Sequence, residues 1–257
     1  MSTFPSVFRN CALSALLALL FPAAAAADAS SQCKRAKQAN EKLHYCSQAI
    51  AQTNDSNLLE RLYLRRGNAY MELKLYAEAK QDFSSVIAIN PGIAGYFDNR
   101  MATSRELGQM QEAVADANRA VALAPNMTFV LRSRALLFEK MMDYERALKD
   151  FERARLIDPV DIGLIIEAAR VKSKLGRVVE AIADLNGAIA REPANLWAYR
   201  ERGLAYVLIG DSANAEQDLT FYARTAPDDE EVRSTLIVIR GRSGGGLAAT
   251  GAATGPN

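Results

Sequence analysis

The segment from Glu60 to Pro91 reads ERLYLRRGNAYMELKLYAEAKQDFSSVIAINP, and a similar spelling returns four more times along the chain. Each copy closes with a proline, and the copies follow one another at an interval of 34 residues. The closing prolines are Pro91, Pro125, Pro159, Pro193 and Pro227. A fixed period of this length is typical of repeat architectures, in which each unit buries its apolar face against its neighbours.

Positions within the five units are counted from their first residues, which are Glu60, Ala94, Thr128, Ile162 and Leu196. Position 4 is large and apolar in every unit, position 8 is small in four of five, and position 20 is always alanine. Small residues at positions 8 and 20 allow two antiparallel helices to approach to about 8–10 Å. The proline at position 32 ends the second helix. Each unit is therefore predicted to be a helix–turn–helix in an all-α protein.

These features together resemble the tetratricopeptide repeat family, and position 11 adds an aromatic residue in three units. Those aromatics are Tyr70, Phe138 and Tyr206. The resemblance covers residues 60–229 and implies a right-handed α-solenoid with a concave groove that binds proteins or peptides. Two units depart from the pattern, because the second has Met101 at position 8 and Ser104 at position 11, and the fourth has Lys172 at position 11. We expect these two units to pack less tightly.

The first residues, 1–29, are unlike the repeats and resemble a secretory signal peptide of an exported bacterial protein. One positive charge, Arg9, precedes the apolar run CALSALLALLF and the small residues PAAAAADAS. Cleavage is expected between Ala25 and Ala29, which would make the mature protein periplasmic or secreted, with no membrane span. The alternative is an uncleaved anchor, because the apolar stretch approaches the lower limit for a membrane helix.

The segments that flank the repeats have their own predicted roles. Residues 30–56 are predicted to be a degenerate half-repeat, residues 230–242 a capping helix, and residues 243–257 a flexible tail. In an oxidising compartment Cys33 and Cys46 are expected to form a disulfide across a short helical hairpin; the alternative is two unpaired thiols. No metal site is expected, because two thiols and the single histidine of the chain cannot complete a zinc shell.

Position 7 is arginine in four units and position 23 is aspartate in all five. Because the two positions lie on the paired helices of one unit, we predict structural ion pairs between them. The predicted pairs are Arg66 with Asp82, Arg100 with Asp116, Arg134 with Asp150, and Arg202 with Asp218. The fourth unit has Ala168 at position 7. The alternative is a ladder of arginines that binds phosphate or a polyanion.

The sequence predicts neither catalysis nor a cofactor. Common nucleophile, zinc-protease and phosphate-loop motifs are missing from it. The formal net charge of +1 gives no bulk electrostatic attraction for nucleic acid. We therefore predict a non-catalytic scaffold or adaptor of the cell envelope. A structural or self-associating module, which would include a homo-oligomer, remains as the alternative.

The partner-binding groove is predicted from positions 5, 9 and 12, which face the concave side in arrays that resemble this one. These residues differ from unit to unit, which suggests that stacking does not dictate them. The candidates are Leu64, Asn68, Asp98, Arg105, Arg132, Leu136, Ile166, Arg170, Arg200 and Leu204. Apolar residues interleaved with arginines predict an extended or helical peptide that bears acidic groups. A C-terminal carboxylate ligand is not predicted, because Leu64 and Phe129 stand where family members of that type carry lysines.

Overall fold

The computed structural model describes the backbone of residues 28–248 and the side chains of residues 28–241. Most of the predicted signal segment and the end of the predicted tail therefore lie outside the described residues. The chain divides between Pro125 and Asn126 into two compact bodies, which we call the N-terminal body and the C-terminal body. Within the described residues the secondary structure is helical throughout, without strands. The predicted all-α helical repeat fold is confirmed.

The N-terminal body contains the half-repeat and the first two repeats. Its helices are α1 (residues 28–35), α2 (Ala39–Ala51), α3 (Ser56–Glu72), α4 (Tyr76–Ile89), α5 (Ala94–Glu106) and α6 (Met110–Leu123). The C-terminal body contains the other three repeats and a final helix. Its helices are α7 (Thr128–Lys140), α8 (Tyr144–Ile157), α9 (Ile162–Lys174), α10 (Val178–Arg191), α11 (Leu196–Leu208), α12 (Ser212–Ala223) and α13 (Glu230–Ala248).

The two helices of each repeat are separated by a turn whose residue at position 15 is left-handed in all five repeats. Glycine occupies this position in three repeats, with φ between 75° and 78°. Lys74 and Met142 occupy it in the first and third repeats, both at φ 59°. A left-handed residue cannot continue a right-handed helix, so it ends the first helix of the repeat.

Positions 8 and 24 face each other where the two helices of a repeat cross, and a small residue at one of them faces a larger residue at the other. A Cβ built on Gly67 would lie 2.9 Å from the ring of Phe83, and one built on Gly203 would lie 2.7 Å from Leu219. The second repeat reverses the sizes, with Met101 at position 8 and Ala117 at position 24, and each of these residues is 2% exposed. The expectation of looser packing at Met101 is therefore wrong, because a small partner compensates for the large side chain.

The N-terminal half-repeat is a pair of helices, α1 and α2, which form the short helical hairpin expected around the two cysteines. Cys33 in α1 and Cys46 in α2 are bonded, with Cα atoms 4.9 Å apart. Both cysteines are fully buried together with Ala29 and Leu62. Ser56, which we placed in the half-repeat, instead begins α3, and the Asp55 carboxylate caps that helix by accepting from two backbone amides.

The final helix is longer than predicted. We placed the end of the capping helix at residue 242, whereas α13 continues to Ala248 and includes the first residues of the predicted tail. Three buried apolar residues hold α13 against α12, and they are Val232, Leu236 and Ile239. Among the described helices, none combines the length and the apolar character that crossing a membrane would require.

Candidate functional site

The predicted arginine–aspartate pairs lie inside the repeats and hold their two helices together. Each of the four arginines donates through Nε and Nη2 to both carboxylate oxygens of its aspartate, at 2.7–2.9 Å. In three of them Nη1 also reaches the preceding second helix, where it donates to Ser47, Ser84 or Asn186. The hydrogen bond to Asp82 raises the pKa of Arg66, and Asp116 and Asp218 act likewise on their arginines. These guanidinium groups are engaged within the chain, so the geometry favours a structural role over polyanion binding.

The fourth repeat places its cation one helical turn further along. Lys172 Nζ donates to Asp184 at 2.6 Å and lies 2.9 Å from Glu152 of the preceding repeat. Arg155 joins the same carboxylates at 3.1–3.3 Å. Lys172 is only 7% exposed, so the expected looser packing is not seen at this side chain either. The missing arginine at Ala168 is compensated by a lysine at position 11.

The predicted groove arginines of the C-terminal body are also paired within the chain. Arg132 on α7 donates to Glu167 on α9 at 2.7 Å, and Arg170 on α9 donates back to Glu139 on α7 at 2.7 Å. Arg200 on α11 contacts three carboxylates, at distances of 2.6–2.8 Å. They belong to Glu201, Asp229 and Glu231. The expected attraction for an acidic peptide is therefore corrected, because each of these cations already has a carboxylate partner.

The apolar groove candidates differ in how far solvent reaches them. Ile166 is only 6% exposed and packs in a core cluster with Ile162 and Ala169, so its expected exposure is wrong. Leu136 and Leu204 are half-buried. In the N-terminal body Leu64 and Asp98 are half-buried and Asn68 is exposed. Arg105 is half-buried and pairs with its neighbour Glu106 at 2.9 Å.

Two adjoining recesses lie on the first helices of the C-terminal body, and both are lined by Arg170 and Glu201. The first recess has a volume of about 310 Å³. Its other lining residues are Arg132, Gly163, Ile166, Glu167, Asn195 and Trp197. The second recess, of about 380 Å³, lies between α9, α11 and α13. Its other lining residues include Leu204, Val207, Leu208 and Thr235. We call these surfaces together the C-terminal groove.

Two carboxylates of the C-terminal groove are buried more deeply than surface acids usually are. Burial raises the pKa of Glu201, against the opposing effect of Arg200 and Arg170. Burial likewise raises the pKa of Glu167, although Arg132 donates a hydrogen bond to its Oε1 atom. Glu167 Oε2 is buried and has no hydrogen-bond partner. A buried carboxylate oxygen that lacks a donor is costly, so this atom favours a ligand that supplies an N–H or O–H group.

Aromatic and aliphatic side chains are exposed beside these carboxylates. Trp197 is 59% exposed in the first recess, and its ring lies 5.9 Å from the guanidinium of Arg200. Leu208 is 60% exposed in the second recess. An exposed aromatic ring near desolvated polar groups is typical of protein-binding surfaces.

Three of the residues predicted from the sequence, Arg132, Ile166 and Arg170, line the first recess. Four other residues that define the groove were not predicted. The missed residues are Glu167, Trp197, Glu201 and Leu208. They occupy positions 2, 6 and 13 of their repeats, which lie on the same helical face as positions 5 and 9. That periodicity was the available signal. Among the described residues there is no cluster of side chains suited to hold a metal ion.

Comparison of the sequence with known families places a tetratricopeptide repeat at residues 60–93. The chain is 31% identical over 99 residues to a DnaJ homolog subfamily C member 7 homolog of Dictyostelium discoideum; the match covers 37% of this chain and 18% of that protein. It is 27% identical over 94 residues to Hsp70-Hsp90 organizing protein 3 of Arabidopsis thaliana, over 37% of this chain and 17% of the relative. The chain thus spans less than a fifth of these two relatives.

Solved structures share the repeat fold. YrrB, a TPR protein described as having an unusual peptide-binding site, matches with a TM-score of 0.57 and 14% identity over 74% of this chain and 96% of that one. The thermophilic TPR protein TTC0263 of Thermus thermophilus matches with a TM-score of 0.55 and 21% identity, over 70% and 98% of the two chains. At these identities the likeness concerns the fold alone.

Proposed function

Because the chain belongs to the tetratricopeptide repeat family, we propose that it is a non-catalytic scaffold or adaptor that binds a partner polypeptide in the C-terminal groove. The observation that carries the proposal is the pair of adjoining recesses, which combine exposed Trp197 and Leu208 with the buried, unpartnered oxygen of Glu167. Stacking of repeats does not need these side chains to be exposed or unpaired, which favours a role in recognition.

The chemistry of the groove favours a neutral or basic segment of the partner. Three arginines of the groove, Arg132, Arg170 and Arg200, are balanced by five carboxylates within reach. These carboxylates are Glu139, Glu167, Glu201, Asp229 and Glu231. An acidic ligand would have to displace an existing partner, whereas a backbone amide or a lysine would satisfy Glu167 Oε2 directly.

We propose that this activity belongs to the cell envelope, and the first residues and the cysteines support this proposal. The apolar run and small residues before Asp28 resemble a cleavable export signal. The bond between Cys33 and Cys46 fits an oxidising compartment. The partner is therefore expected to be another exported or envelope protein.

The proposal is tested by photo-crosslinking in the native cell. A benzophenone amino acid at Leu208 is expected to capture a partner, whereas the same residue at Leu156, which is 85% exposed on the second helix α8, serves as the matched control. Trp197→Ala is expected to abolish the crosslink at Leu208 without changing helicity. Equal capture from both positions would contradict groove binding. Crosslinked products of twice the chain mass would instead support a self-associating module.

A further inference from the structure

The last helix, α13, presents an uncovered face where every repeat places a second helix. Glu230 lies 34 residues after Leu196, so α13 begins where a sixth repeat would begin, and its residues can be counted in the same positions. In that count Arg233, Ile237 and Arg240 stand at positions 4, 8 and 11. We call these three residues the α13 stripe.

Exposure at position 8 distinguishes α13 from the first helices of the five repeats. The five repeats bury this residue against their second helix, and Ala135, Ala169 and Met101 are no more than 2% exposed. Ile237 is 67% exposed. The side chains of Arg233 and Arg240 on either side of it are each 55% exposed. The surface that a second helix covers elsewhere is open here.

Three arginines, Arg224, Arg233 and Arg240, lie on or beside the open face, and two of them pair with a carboxylate. Arg240 pairs with Glu216 at 2.7 Å and donates to Thr220 at 3.0 Å, but among residues 28–248 no second helix follows α13 to supply a position 23 aspartate. Among the residues whose side chains are described, Arg233 pairs with Glu230 alone, on its own helix, at 3.1 Å. Arg224 lines the recess of about 520 Å³ beside Arg240 and makes no ion pair with a described residue. Arg233 and Arg240 remain more than half exposed beside these partners, whereas the side chains of the groove arginines are 14–43% exposed, so carboxylates of a partner can reach this face.

We propose that the α13 stripe is a docking site for an acidic amphipathic helix of a partner protein, distinct from the C-terminal groove. The incoming helix takes the position on α13 that a second helix occupies on the first helix of each repeat. It presents a small residue to Ile237, because the repeat with a large residue at position 8, Met101, carries Ala117 at position 24. It presents carboxylates to Arg233 and Arg240, as the position 23 aspartates do inside the repeats.

Two occupants from this chain fit the face less well. Residues 249–257 read ATGAATGPN and contain neither an acidic residue nor an apolar side chain larger than alanine. A second copy that paired its own α13 stripe across a two-fold axis would bring Arg233 and Arg240 of the two chains towards one another, and like charges repel at such distances. A partner helix with carboxylates avoids both problems.

The probe for the test is the second helix of the second repeat, which has the required pattern. A fluorescent peptide of residues 109–124, stabilised by a lactam bridge because short helices are marginal in water, carries Asp116 and Ala117 at the two contact positions. We expect saturable binding to the purified protein. Ile237→Glu and Arg240→Glu are each expected to weaken binding by about tenfold or more, as for residues at the centre of an interface. Arg153→Glu, an equal charge change at an exposed residue of α8, is the matched control.

Further variants separate this site from its alternatives. Asp116→Lys in the peptide is expected to abolish binding, and Trp197→Ala in the protein is expected to leave it unchanged, because Trp197 lies in the C-terminal groove. Ile237→Ala, which keeps the charge of the surface, guards against a folding artefact and should still weaken binding. The inference is overturned if the peptide does not bind, if it binds the Ile237→Glu and native proteins equally, or if Trp197→Ala abolishes binding. It is also overturned if removal of residues 249–257 strengthens binding tenfold, or if Ile237→Glu converts a native dimer to a monomer, since either result would identify an occupant from the chain itself.

Discussion

Lys172 Nζ donates a hydrogen bond to Asp184 at 2.6 Å. Lys172 stands at position 11, and it pairs with the position 23 aspartate that pairs with an arginine at position 7 in the other four repeats. The same ammonium group lies 2.9 Å from Glu152 on the preceding second helix, so one cation joins two repeats. The nearby carboxylates more than offset burial and raise the pKa of Lys172. The network is thus retained although its cation has moved.

Removal of this cation is expected to destabilise the C-terminal body. Lys172→Ala leaves Arg155 as the cation that hydrogen-bonds to Asp184 and Glu152, and we expect a loss of about 1–3 kcal/mol in the free energy of unfolding. Urea denaturation measures the loss, with Lys174→Ala on the exposed side of the same helix as control. The double variant Ala168→Arg, Lys172→Tyr rebuilds the arrangement of the other repeats and should recover most of the stability. Equal stability of Lys172→Ala and Lys174→Ala would show that the network contributes little.

The repeat pattern predicted the helices and the arginine–aspartate pairs well because both depend on neighbours at short, fixed separations. Position 4 marks the packing face, the proline at position 32 marks the end of the unit, and positions 7 and 23 face each other within one helical pair. Arg66 and Asp82 illustrate this, since they are only 16 residues apart and form a bidentate pair.

The groove was harder to predict because its contacts join different repeats. Arg132 and Glu167 are 35 residues apart, and their pairing depends on how α7 and α9 pack side by side. The positions chosen from the sequence therefore included the arginines but not Glu167 and Glu201, which stand at position 6 and pair with Arg132 and Arg200. The exposure of Ile166 was predicted wrongly for the same reason. Whether a residue at position 5 is buried depends on the size of its neighbours on the first helix of the following repeat.

The turn of the third repeat offers a stabilising substitution. Met142 holds φ 59°, a conformation that costs a non-glycine residue about 1–2 kcal/mol, and its side chain is 74% exposed. Met142→Gly relieves that cost but raises the entropy of the unfolded chain, so a net gain of about 0.5–1 kcal/mol is expected. Thermal and urea unfolding measure the gain.

The reverse change at the equivalent position provides the control for this prediction. A Cβ added to Gly176, at φ 77°, meets nothing within 4 Å, so Gly176→Ala tests backbone strain without a steric clash. We expect it to destabilise by about 1 kcal/mol. A Met142→Gly variant that is less stable than the native protein would mean that its flexibility outweighs the relieved strain.

The mature N-terminus is expected to retain Ala29. This residue is 5% exposed and packs with Cys33 and Cys46, so cleavage after it would remove part of a buried cluster. We therefore expect the exported chain to begin at Asp28 or Ala29. Sequencing of the N-terminus decides this, and a mature chain that begins after Ala29 would contradict it.

The cysteine pair is tested in the same exported protein. Alkylation in denaturant, which removes protection by burial, is expected to label neither Cys33 nor Cys46 before reduction and both after it. Closing a loop of about 14 residues stabilises by roughly 3 kcal/mol in the chain-entropy estimate, so reduction should lower the unfolding midpoint. Labelling without prior reduction would show that the thiols are free and would weaken the case for export.

The buried carboxylate of Glu167 gives the protein a distinctive pH dependence. Burial raises its pKa in the folded state above the ordinary value of 4.5, although the hydrogen bond from Arg132 opposes the shift. Between the pKa of the unfolded state and the higher pKa of the folded state, the folded chain binds more protons than the unfolded chain. Lowering the pH through this window therefore increases the free energy of unfolding. Glu167→Gln lacks the titrating group, and the native protein should therefore gain stability relative to this variant as the pH falls from neutral towards 4.5. Urea denaturation at each pH measures the difference.

Glu180→Gln is the matched control, because Arg177 lowers the pKa of Glu180. Titration of Glu180 therefore changes the stability only at pH values below the window in which Glu167 titrates. Parallel curves for the native protein and Glu167→Gln would mean that Glu167 titrates normally and that its buried oxygen is solvated, which would remove the main polar argument for ligand recognition in the C-terminal groove.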